Sequence, residues 1–422
     1  MGQRTGDRLR IAVVSRGDET CGGASRVAED LARQMQVRGH EATHFVTWTG
    51  KGFTKNRKSL YGPGLLRPVT TLAHKAARKF GLAEMIPFEL AAAIAGLRGF
   101  DVIHFHDTSG SISPLTIMAA ARVATVAWTF HDCSPFTGGC LYPQMAGCQK
   151  YKDGCGGCPL GNEWPIYGWS DRTPQALALR RRLHHKAGIS VITPSRWMAD
   201  TAWASGNLSE PPTVISNMVD TSVFAEPKDR AGLRARLGLP QDRPVIAISA
   251  ASIGDERKNV AAAIGGAVAA SNVSPTVVLI GKPDPKVHAI MGSLDFVATG
   301  YVSDRNHLAE WLSASDAFMA TPMADNQPLA IMEALACGTP VYGWPTGGIA
   351  EMVVDGVNGR MIWDGSDRSL GQAISADWSS KAMTQMRART SREAASKFSP
   401  EVFAENHENH FRELIDRKEQ SR

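Results

Sequence analysis

The fold is decided by the stretch DNQPLAIMEALACGTPV, residues 325–341. Pro328 stands where a helix would begin, because the first helical position needs no amide donor and proline's fixed φ is already helical. The residues after it are good or tolerable helix formers, and Gly338 suits a helix end. The apolar run 316–320 predicts a strand before the loop, and residues 340–342 predict the next one. The order strand, polar loop, helix, strand predicts one unit of a parallel α/β sheet.

The loop of this unit carries the chemistry. Ligands bind at the carboxyl ends of parallel strands, and the free amides and positive end of a helix favour a phosphate there. Asp325 lies in the loop and Glu333 lies a little over one turn into the helix, so both offer acceptors for hydroxyl groups. A phosphate together with a polyol describes a nucleotide sugar. The alternative is an ordinary buried α/β helix with one satisfied glutamate.

The segment resembles the E-x7-E motif of the retaining glycosyltransferases of family four, which have the GT-B fold. In that family the first carboxylate contacts hydroxyl groups of the donor sugar, and the second binds the ribose of the nucleotide. The resemblance implies these roles for Asp325 and Glu333 as candidate catalytic residues, although Asp325 is one methylene shorter than the glutamate of the motif. The exopolysaccharide branch of the family, of the colanic-acid type, often reads D-N-x-P here. The donor-binding residues that the resemblance implies are Asn326, Gln327, Pro328 and Leu329.

Length and composition indicate an ordinary soluble globular protein with two domains. The chain has 422 residues, of which 43% are hydrophobic and 21% are charged. The net charge of +5 is too small to imply nucleic-acid binding. No apolar run approaches the roughly 20 residues that span a bilayer, and the N-terminus has no signal-peptide core. We therefore expect a cytoplasmic protein whose cysteines stay reduced.

Short apolar runs alternate with helical patterns in two series. In the first series the strand candidates are residues 11–14, 42–46, 101–105, 123–129 and 190–193, with a helix at 24–38 that Gly39 closes. In the second series they are residues 245–249, 276–280, 296–298, 317–319 and 340–342. Each series predicts a doubly wound parallel sheet, so the expected fold class is α/β with two Rossmann-like domains.

Residues 217–224, NMVDTSVF, resemble the interdomain linker of the same family. The predicted domains are therefore 1–220, on the acceptor side with a cysteine-rich insert at 133–160, and 221–400, which binds the nucleotide sugar. The tail 401–422 is a charged helix, and the resemblance implies that it returns to the first domain. The resemblance further implies that the two domains face each other across a cleft. Fold alone does not establish activity.

Two further elements are candidates for contact with the donor phosphates. Gly22 and Gly23 open the first helix, where consecutive glycines let the backbone approach an anion closely; a plain tight turn is the alternative. Arg257 and Lys258 follow a predicted strand of the second sheet and are candidate catalytic residues, because a cation there would neutralise the leaving diphosphate. The pair resembles the R-K-G element of the family, whose further arginine is replaced here by Ser252. A solvated pair of charges at a helix start is the alternative.

His131 and Asp132 follow a predicted strand and begin HDCSPFTG, which resembles the branch signature H-D-x4-T-G. In the family this histidine lies beside the transferred sugar. The resemblance makes His131 a candidate catalytic residue and makes Asp132 and Thr137 candidates for the acceptor site; a structural histidine is the alternative. Ser195 and Arg196 match an interdomain element of the family near the cleft.

Tyr301 and Val302 follow a strand of the second series, and by the same resemblance their backbone frames the nucleobase. Ser303 is the predicted N-cap of the helix after them. His104 and His106, on a neighbouring strand of the first sheet, are weaker candidates for the site, and one of them can simply fill space.

Cys140, Cys148, Cys155 and Cys158 lie within a glycine-rich insert. Four thiolates suit a tetrahedral zinc ion, which would stabilise a loop that has no core of its own. The last pair reads C-G-G-C, a good half-site, whereas the first pair is spaced more widely than in common zinc knuckles. Free thiols and disulfides are the alternatives. No motif in the chain requires a catalytic metal.

Residues 51–79 hold eight Lys or Arg and no acidic residue. The same stretch contains Leu65, Leu66, Val69 and Leu72. An amphipathic basic stretch can rest on an anionic membrane surface, and a solvated basic loop is the alternative. We expect association with the inner face of the membrane as a peripheral protein.

The resemblance implies a retaining hexosyltransferase that moves a hexosyl unit from a nucleoside diphosphate sugar to a lipid-linked or oligosaccharide acceptor in exopolysaccharide biosynthesis. The family mechanism is a front-face displacement in which the leaving phosphate accepts the acceptor's proton. One alternative is a non-catalytic nucleotide-sugar-binding subunit of a polysaccharide assembly complex, which Ser252 and Asp325 keep open. The other is a GT-B sugar-nucleotide epimerase, which the linker and the cysteine insert disfavour. We expect no nucleic-acid partner.

Overall fold

The computed structural model describes residues 8–82, 84–166 and 168–420. The chain divides into two compact units: unit 1 is Met1–Ser216 with Phe403–Arg422, and unit 2 is Asn217–Val402. The division therefore lies just before the predicted boundary at residue 220. Among the described residues, no helix is both long enough and apolar enough to cross a lipid bilayer.

Unit 1 is built on a seven-stranded sheet whose neighbouring strands are all parallel. The strands are β1 (Arg10–Ser15), β2 (Glu41–Val46), β3 (Arg57–Ser59), β4 (Val102–Phe105), β5 (Thr125–Thr129), β6 (Ser190–Thr193) and β7 (Thr213–Val214). They lie in the order β3-β2-β1-β4-β5-β6-β7. The chain therefore proceeds outward in both directions from a switch point between β1 and β4. In open α/β sheets ligands bind at such a point, beyond the carboxyl ends of the strands.

Unit 1 has six α-helices before the linker among the described residues. They are α1 (Gly23–Val37), α2 (Leu66–Lys79), α3 (Leu90–Leu97), α4 (Pro114–Val123), α5 (Thr173–Lys186) and α6 (Arg196–Trp203). One of them, α2, contains the second half of the basic stretch 51–79. The core of the unit joins large strand side chains to helix side chains, among them Phe105, Trp128, Ile117 and Leu183.

Unit 2 repeats the architecture with a six-stranded parallel sheet. Its strands are β8 (Val245–Ser252), β9 (Thr276–Lys282), β10 (Asp295–Gly300), β11 (Ala317–Ala320), β12 (Val341–Gly343) and β13 (Gly359–Met361). The order β10-β9-β8-β11-β12-β13 puts the switch point between β8 and β11. The predicted α/β class with two parallel sheets is confirmed.

Both faces of the second sheet are buried. The helices of this part are α7 (Arg230–Arg236), α8 (Val260–Ala269), α9 (Pro285–Ile290), α10 (Arg305–Ala314), α11 (Leu329–Ala336), α12 (Asp367–Ser379) and α13 (Ala382–Phe398), followed by α14 (Pro400–Gln420). Val245 and Ala247 belong to one apolar cluster, and Ile246 and Ile248 belong to another. Because successive side chains of a strand point to opposite faces, these clusters lie on opposite sides of the sheet.

The start of α11 differs by one position from the prediction. Pro328 is the N-cap, with φ −67° and ψ 125°, and Leu329 is the first helical residue. The extended ψ of Pro328 turns the chain from the loop into the helix. At the other end Gly338 has a φ of 74°, which suits a residue just beyond a helix terminus. Before α10 the cap is Asp304 rather than the predicted Ser303, because the Asp304 side chain accepts a hydrogen bond from the amide of Asn306.

Three short strands were not predicted: β3, β7 and β13. Their sequences, RKS, TV and GRM, contain no apolar run that periodicity could detect. Each lies at the edge of its sheet, where the neighbouring strand rather than local preference places it.

From Phe403 onward, α14 packs within unit 1. The Phe411 ring is fully buried, and its centroid lies 5.3 Å from that of His104. The Lys418 Nζ donates a hydrogen bond of 2.6 Å to the carbonyl oxygen of Ala124. Ala124 is the C-cap of α4, and the helix dipole favours a cation such as Lys418 at that end.

We expect Gly343→Ala in β12 to destabilise unit 2. A Cβ at this position would lie 1.8 Å from the carbonyl oxygen of Ala320, so the backbone of β11 would have to move. The expected loss is about 1–3 kcal/mol, seen as a lower unfolding temperature of the purified chain. In the control Gly154→Ala the new Cβ meets nothing within 4 Å. Equal stability of the two variants would contradict the close approach of β11 and β12.

Candidate functional site

A small cavity opens at the switch point of unit 2. The carboxyl ends of β8 and β11 and the first turns of α8 and α11 line it, and its residues include Ile248, Ser249, Lys258, Thr321, Asp325 and Pro328. The cavity therefore lies where parallel α/β sheets bind ligands, next to the positive end of α11. Three of the predicted site residues lie around it: Lys258, Asp325 and Pro328.

A buried carboxylate organises this cavity. The Asp325 side chain accepts hydrogen bonds at one oxygen from Lys258 Nζ at 2.6 Å and from Arg257 Nη1 at 3.0 Å. Arg257 Nη1 also lies 3.0 Å from the carbonyl oxygen of Ala324. Burial alone would raise the pKa of Asp325, but the two cations outweigh it and lower that pKa. Asp255 Oδ2 also lies 3.6 Å from Arg257 Nη2, so two carboxylates balance the two cations. The positive end of α11 is then the further feature that suits a diphosphate.

The other predicted donor residues of the loop and α11 are largely buried. Asn326 and Gln327 are nearly inaccessible, and Gln327 Oε1 accepts a hydrogen bond of 2.7 Å from the amide of Asn217. The Gln327 side chain thus ties the linker to the start of α11. Leu329 packs against the apolar core, and Glu333 is only 5% exposed on α11.

Tyr301 and Val302 follow the carboxyl end of β10. The Tyr301 ring is half exposed, and Lys282 Nζ lies 5.8 Å from its centroid. Lys282 is also in register with Ser252 across β8 and β9. A cation therefore lies beside the position where the family pattern has an arginine. The sequence could have indicated Lys282 as a site residue, because it is a cation just after a predicted strand.

In unit 1, His131 and His106 lie together at the carboxyl ends of β5 and β4. Their ring nitrogens are 3.0 Å apart and their rings are stacked. Burial, with a smaller contribution from His407, lowers the pKa of His131 to about 3. Burial likewise lowers the pKa of His106 well below its usual value. The pair is neutral at physiological pH, so it can exchange hydrogen bonds but carries no charge.

The loop after His131 contains the two candidates for the acceptor site, Asp132 and Thr137. Burial raises the pKa of Asp132 to about 6, and one of its oxygens accepts a hydrogen bond from the amide of Ser134. Thr137 is fully buried; its hydroxyl donates to the carbonyl of Cys140 and accepts from the amide of Gly139. These contacts give Thr137 a role in shaping the loop.

The remaining candidates of unit 1 lie at helix starts. Gly22 is the N-cap of α1 with a φ of 130°, a conformation that favours glycine, and Gly23 is the first residue of that helix. Ser195 caps α6, because its side chain accepts a hydrogen bond from the amide of Met198. Arg196 is exposed at the first position of α6.

The sequence reading missed Arg16 and Asp107, which lie at the switch point of unit 1. Arg16 Nε is 3.1 Å from Asp107 Oδ2, and the Arg16 guanidinium lies 4.6 Å from the ring centroid of Trp164. Burial raises the pKa of Asp107 although Arg16 opposes the shift. Arg16 directly follows β1 and Asp107 lies two residues after β4, and a position just past a buried strand is the signal that would have found them.

Comparisons with known proteins agree with this geometry. The model of the family described as Glycosyltransferase Family 4 matches residues 21–223, and that of Glycosyl transferases group 1 matches residues 245–378. The chain belongs to glycosyltransferase family four. One match covers most of the first sheet and the other covers the second sheet, so the family assignment does not rest on a single domain.

Named relatives of this glycosyltransferase come from several bacteria. WcaC of Escherichia coli (strain K12), named as a colanic acid biosynthesis glycosyl transferase, is 28% identical over 340 residues, which are 76% of this chain and 79% of that protein. The alpha-maltose-1-phosphate synthase of Mycolicibacterium smegmatis is 28% identical over 236 residues, which are 52% of this chain and 57% of that protein. The similarity to WcaC agrees with the exopolysaccharide-branch resemblance.

Solved structures share the fold of this glycosyltransferase. The sucrose-phosphate synthase of Thermosynechococcus elongatus aligns with a TM-score of 0.70 at 20% identity over 97% of this chain and 100% of that chain. HepE of Anabaena in complex with UDP aligns with a TM-score of 0.68 at 18% identity over 96% of this chain and 100% of that chain. The predicted GT-B class is confirmed.

The four cysteines of the insert line one small cavity of unit 1, together with Lys150 and Tyr151. All four are free thiols. Within the ranges that the structure describes, no group of three or more His, Cys, Asp or Glu side chains is arranged to hold a metal ion. The thiols would have to turn toward a common point to bind zinc, so the zinc ion stays a prediction.

We expect protein purified without chelator to contain about one zinc ion per chain, because four thiolates can order a loop that lacks a core. Elemental analysis measures the metal. The double variant Cys155→Ser/Cys158→Ser should lose it, and Cys21→Ser, which lies outside the insert, should retain it. Metal-free protein with four titratable thiols in the insert would favour the free-thiol alternative.

Proposed function

We propose that this family-four enzyme is a retaining hexosyltransferase of exopolysaccharide biosynthesis. It would use a nucleoside diphosphate sugar as donor and a lipid-linked or oligosaccharide acceptor, on the cytoplasmic side of the membrane. The observation that carries the proposal is the contact of Asp325 with Lys258, both of which line the switch-point cavity of unit 2, and with the adjacent Arg257. The similarity to WcaC, whose name places it in colanic acid biosynthesis, supports the pathway class.

The cluster suits the leaving group of such a transfer. As the bond from the anomeric carbon to the phosphate oxygen breaks, negative charge grows on the diphosphate, and Lys258 and Arg257 would stabilise it. An acceptor oxygen forms the new bond to the anomeric carbon on the same face. Its proton passes to the departing phosphate oxygen, so the step needs no protein nucleophile and no metal ion. Catalysis then consists of positioning and charge stabilisation.

The donor contacts follow from the same cavity. The positive end of α11 would face the phosphates, Asp325 would bind hydroxyl groups of the sugar, and Glu333 would bind the ribose. HepE, which shares the fold, has solved structures with UDP and with UDP-glucose. Uridine diphosphate sugars are therefore the first donors to test.

Unit 1 would supply the acceptor side. His131 is held neutral by burial and contacts His106, so it can position a hydroxyl group without introducing charge. Asp132, whose pKa burial raises to about 6, is a second hydrogen-bonding group at the same strand end.

A non-catalytic nucleotide-sugar-binding subunit is the second candidate. Asp325 holds both Lys258 and Arg257, and Ser252 replaces an arginine of the family pattern, so the cavity could bind a donor without turning it over. Release of free nucleotide from UDP-, GDP- and ADP-sugars, measured without and with acceptor, separates the two candidates. Turnover of any donor supports the proposal that the protein is an enzyme. An α-linked product from an α-linked donor supports a retaining mechanism. Tight binding with no turnover supports the subunit.

We expect Glu333→Gln to weaken binding of the preferred sugar nucleotide. A buried carboxylate that accepts two ribose hydroxyls contributes about 1.5–3 kcal/mol through charged hydrogen bonds. The dissociation constant in calorimetry should therefore rise roughly 10- to 150-fold. Glu310→Gln, on the exposed side of α10, is the matched control. Unchanged affinity in the Glu333 variant would reject its donor role.

Lys258→Ala should lower kcat more than it raises KM, because the charge that it faces grows toward the transition state. One lost charged contact to the leaving group predicts a fall of about 100-fold in kcat. Lys381→Ala, an exposed lysine of the same unit, is the control. A rise in KM alone would make Lys258 a uniform binding residue and Arg257 the better candidate for leaving-group stabilisation.

A further inference from the structure

Helix α2 presents its apolar residues to solvent. The exposed fractions are 84% for Leu65, which precedes the helix, 66% for Val69 and 69% for Leu72. Their spacing of four and three residues places them in one stripe along the helix. Leu66, beside the stripe, is 56% exposed.

The opposite side of α2 fixes this orientation. Thr70, His74 and Ala77 are the buried residues of the helix. His74 Nε2 lies 2.9 Å from the Glu89 carboxylate, and the His74 ring stacks on Tyr61. Rotation of the helix to bury its leucines would break the contact of His74 with the buried Glu89 carboxylate, which Ser113 and Thr116 also bind. The apolar stripe therefore faces outward as a consequence of the fold.

The cations of residues 51–79 divide into two groups. Lys51 pairs with Glu19, Arg57 pairs with Glu29, and Arg78 donates to the carbonyl oxygen of Gly110, so these three do not face outward freely. The remaining cations are exposed, and within the described ranges no carboxylate pairs with them: Lys55, Lys58, Arg67, Lys75 and Lys79. The two acidic residues that follow α2, Glu84 and Glu89, bond inward to Arg180 and His74.

A groove and two aromatic rings extend this surface. Trp48, Phe53 and Leu72 provide apolar walls of the groove, and Arg67 and Lys75 provide its charge. At the other end of α2, Trp169 is 79% exposed and its ring lies 4.9 Å from that of Phe80. The Trp169 amide donates to the Lys79 carbonyl at 3.1 Å, which attaches this ring to the helix end.

We propose that this α2 surface, formed by the apolar stripe, the exposed α2 cations Arg67, Lys75 and Lys79, and Trp169, docks on an anionic phospholipid bilayer. Aliphatic side chains between exposed cations match the boundary between headgroups and acyl chains, and tryptophan prefers the same depth. A second copy of the surface would bring three cations against three cations. The surface would hold the enzyme against the membrane, so the acceptor is lipid-linked rather than a free oligosaccharide; this last step rests on the proposed function.

Co-sedimentation of the full chain with vesicles tests the docking. Binding to vesicles that contain phosphatidylglycerol should exceed binding to pure phosphatidylcholine and should fall steeply as salt rises. Lys75→Gln/Lys79→Gln should weaken binding roughly 25-fold, from about fivefold for each cation near the surface. Val69→Ser/Leu72→Ser should weaken it at every salt concentration. Val354→Ser, at a valine of unit 2 that is 54% exposed, is the control and should bind as the parent does.

Equal recovery with neutral and anionic vesicles, or unchanged binding of both double variants, would overturn the proposal. A dimer detected by light scattering would also overturn the proposal if Val69→Ser/Leu72→Ser made the protein monomeric. The α2 surface would then bind a second copy of the chain rather than a membrane. Unaltered unfolding temperatures show that the variants fold. The variants should hydrolyse the soluble donor at the parental rate and lose only transfer to a vesicle-borne acceptor. A parent that binds vesicles but turns over no donor would reject the enzyme and leave the docking surface standing.

Discussion

The switch-point cavity of unit 2 depends on the contact between the Asp325 carboxylate and its two cations. Burial opposes the charge of Asp325, and Lys258 and Arg257 restore it. Removal of either cation would leave Asp325 paired with the other, whereas removal of both would leave a buried carboxylate without a cation. The same contact joins the segment after β8 to the loop before α11. The packing of unit 2 therefore fixes the positions of Lys258 and Arg257 without a bound ligand.

The two candidate sites treat their ionisable groups differently. At the cavity of unit 2, Asp325 is paired with Lys258 and with Arg257. At the strand ends of unit 1, burial lowers the pKa of His131 and His106 and raises the pKa of Asp132 to about 6. A charged cavity suits a diphosphate, whereas a neutral imidazole suits a sugar hydroxyl. This difference in charge is the physical reason for assigning the donor to unit 2 and the acceptor to unit 1 in the proposed function.

Helix α2 has a polar contact on its inner side and apolar residues on its outer side. On the inner side His74 contacts the Glu89 carboxylate, which Ser113 and Thr116 also bind. The leucines and the valine lie on the exposed side. Exposed apolar surface of this kind marks interaction sites, and it is the surface that we propose docks on the bilayer.

Local pattern in the sequence was sufficient for the two sheets, because buried parallel strands are short apolar runs and each lies between recognisable helices. Sequence also singled out Asp325 and the cations before α8, which the structure brings together at the switch-point cavity of unit 2. Sequence could not decide which cations of residues 51–79 face outward, since Arg57 and Lys51 find their carboxylates far along the chain. The edge strands, the contact of His106 with His131 and the joint site of Arg16 and Asp107 likewise arise only when distant segments meet. Tertiary structure decided these points because pairing and burial depend on neighbours in space rather than on neighbours in sequence.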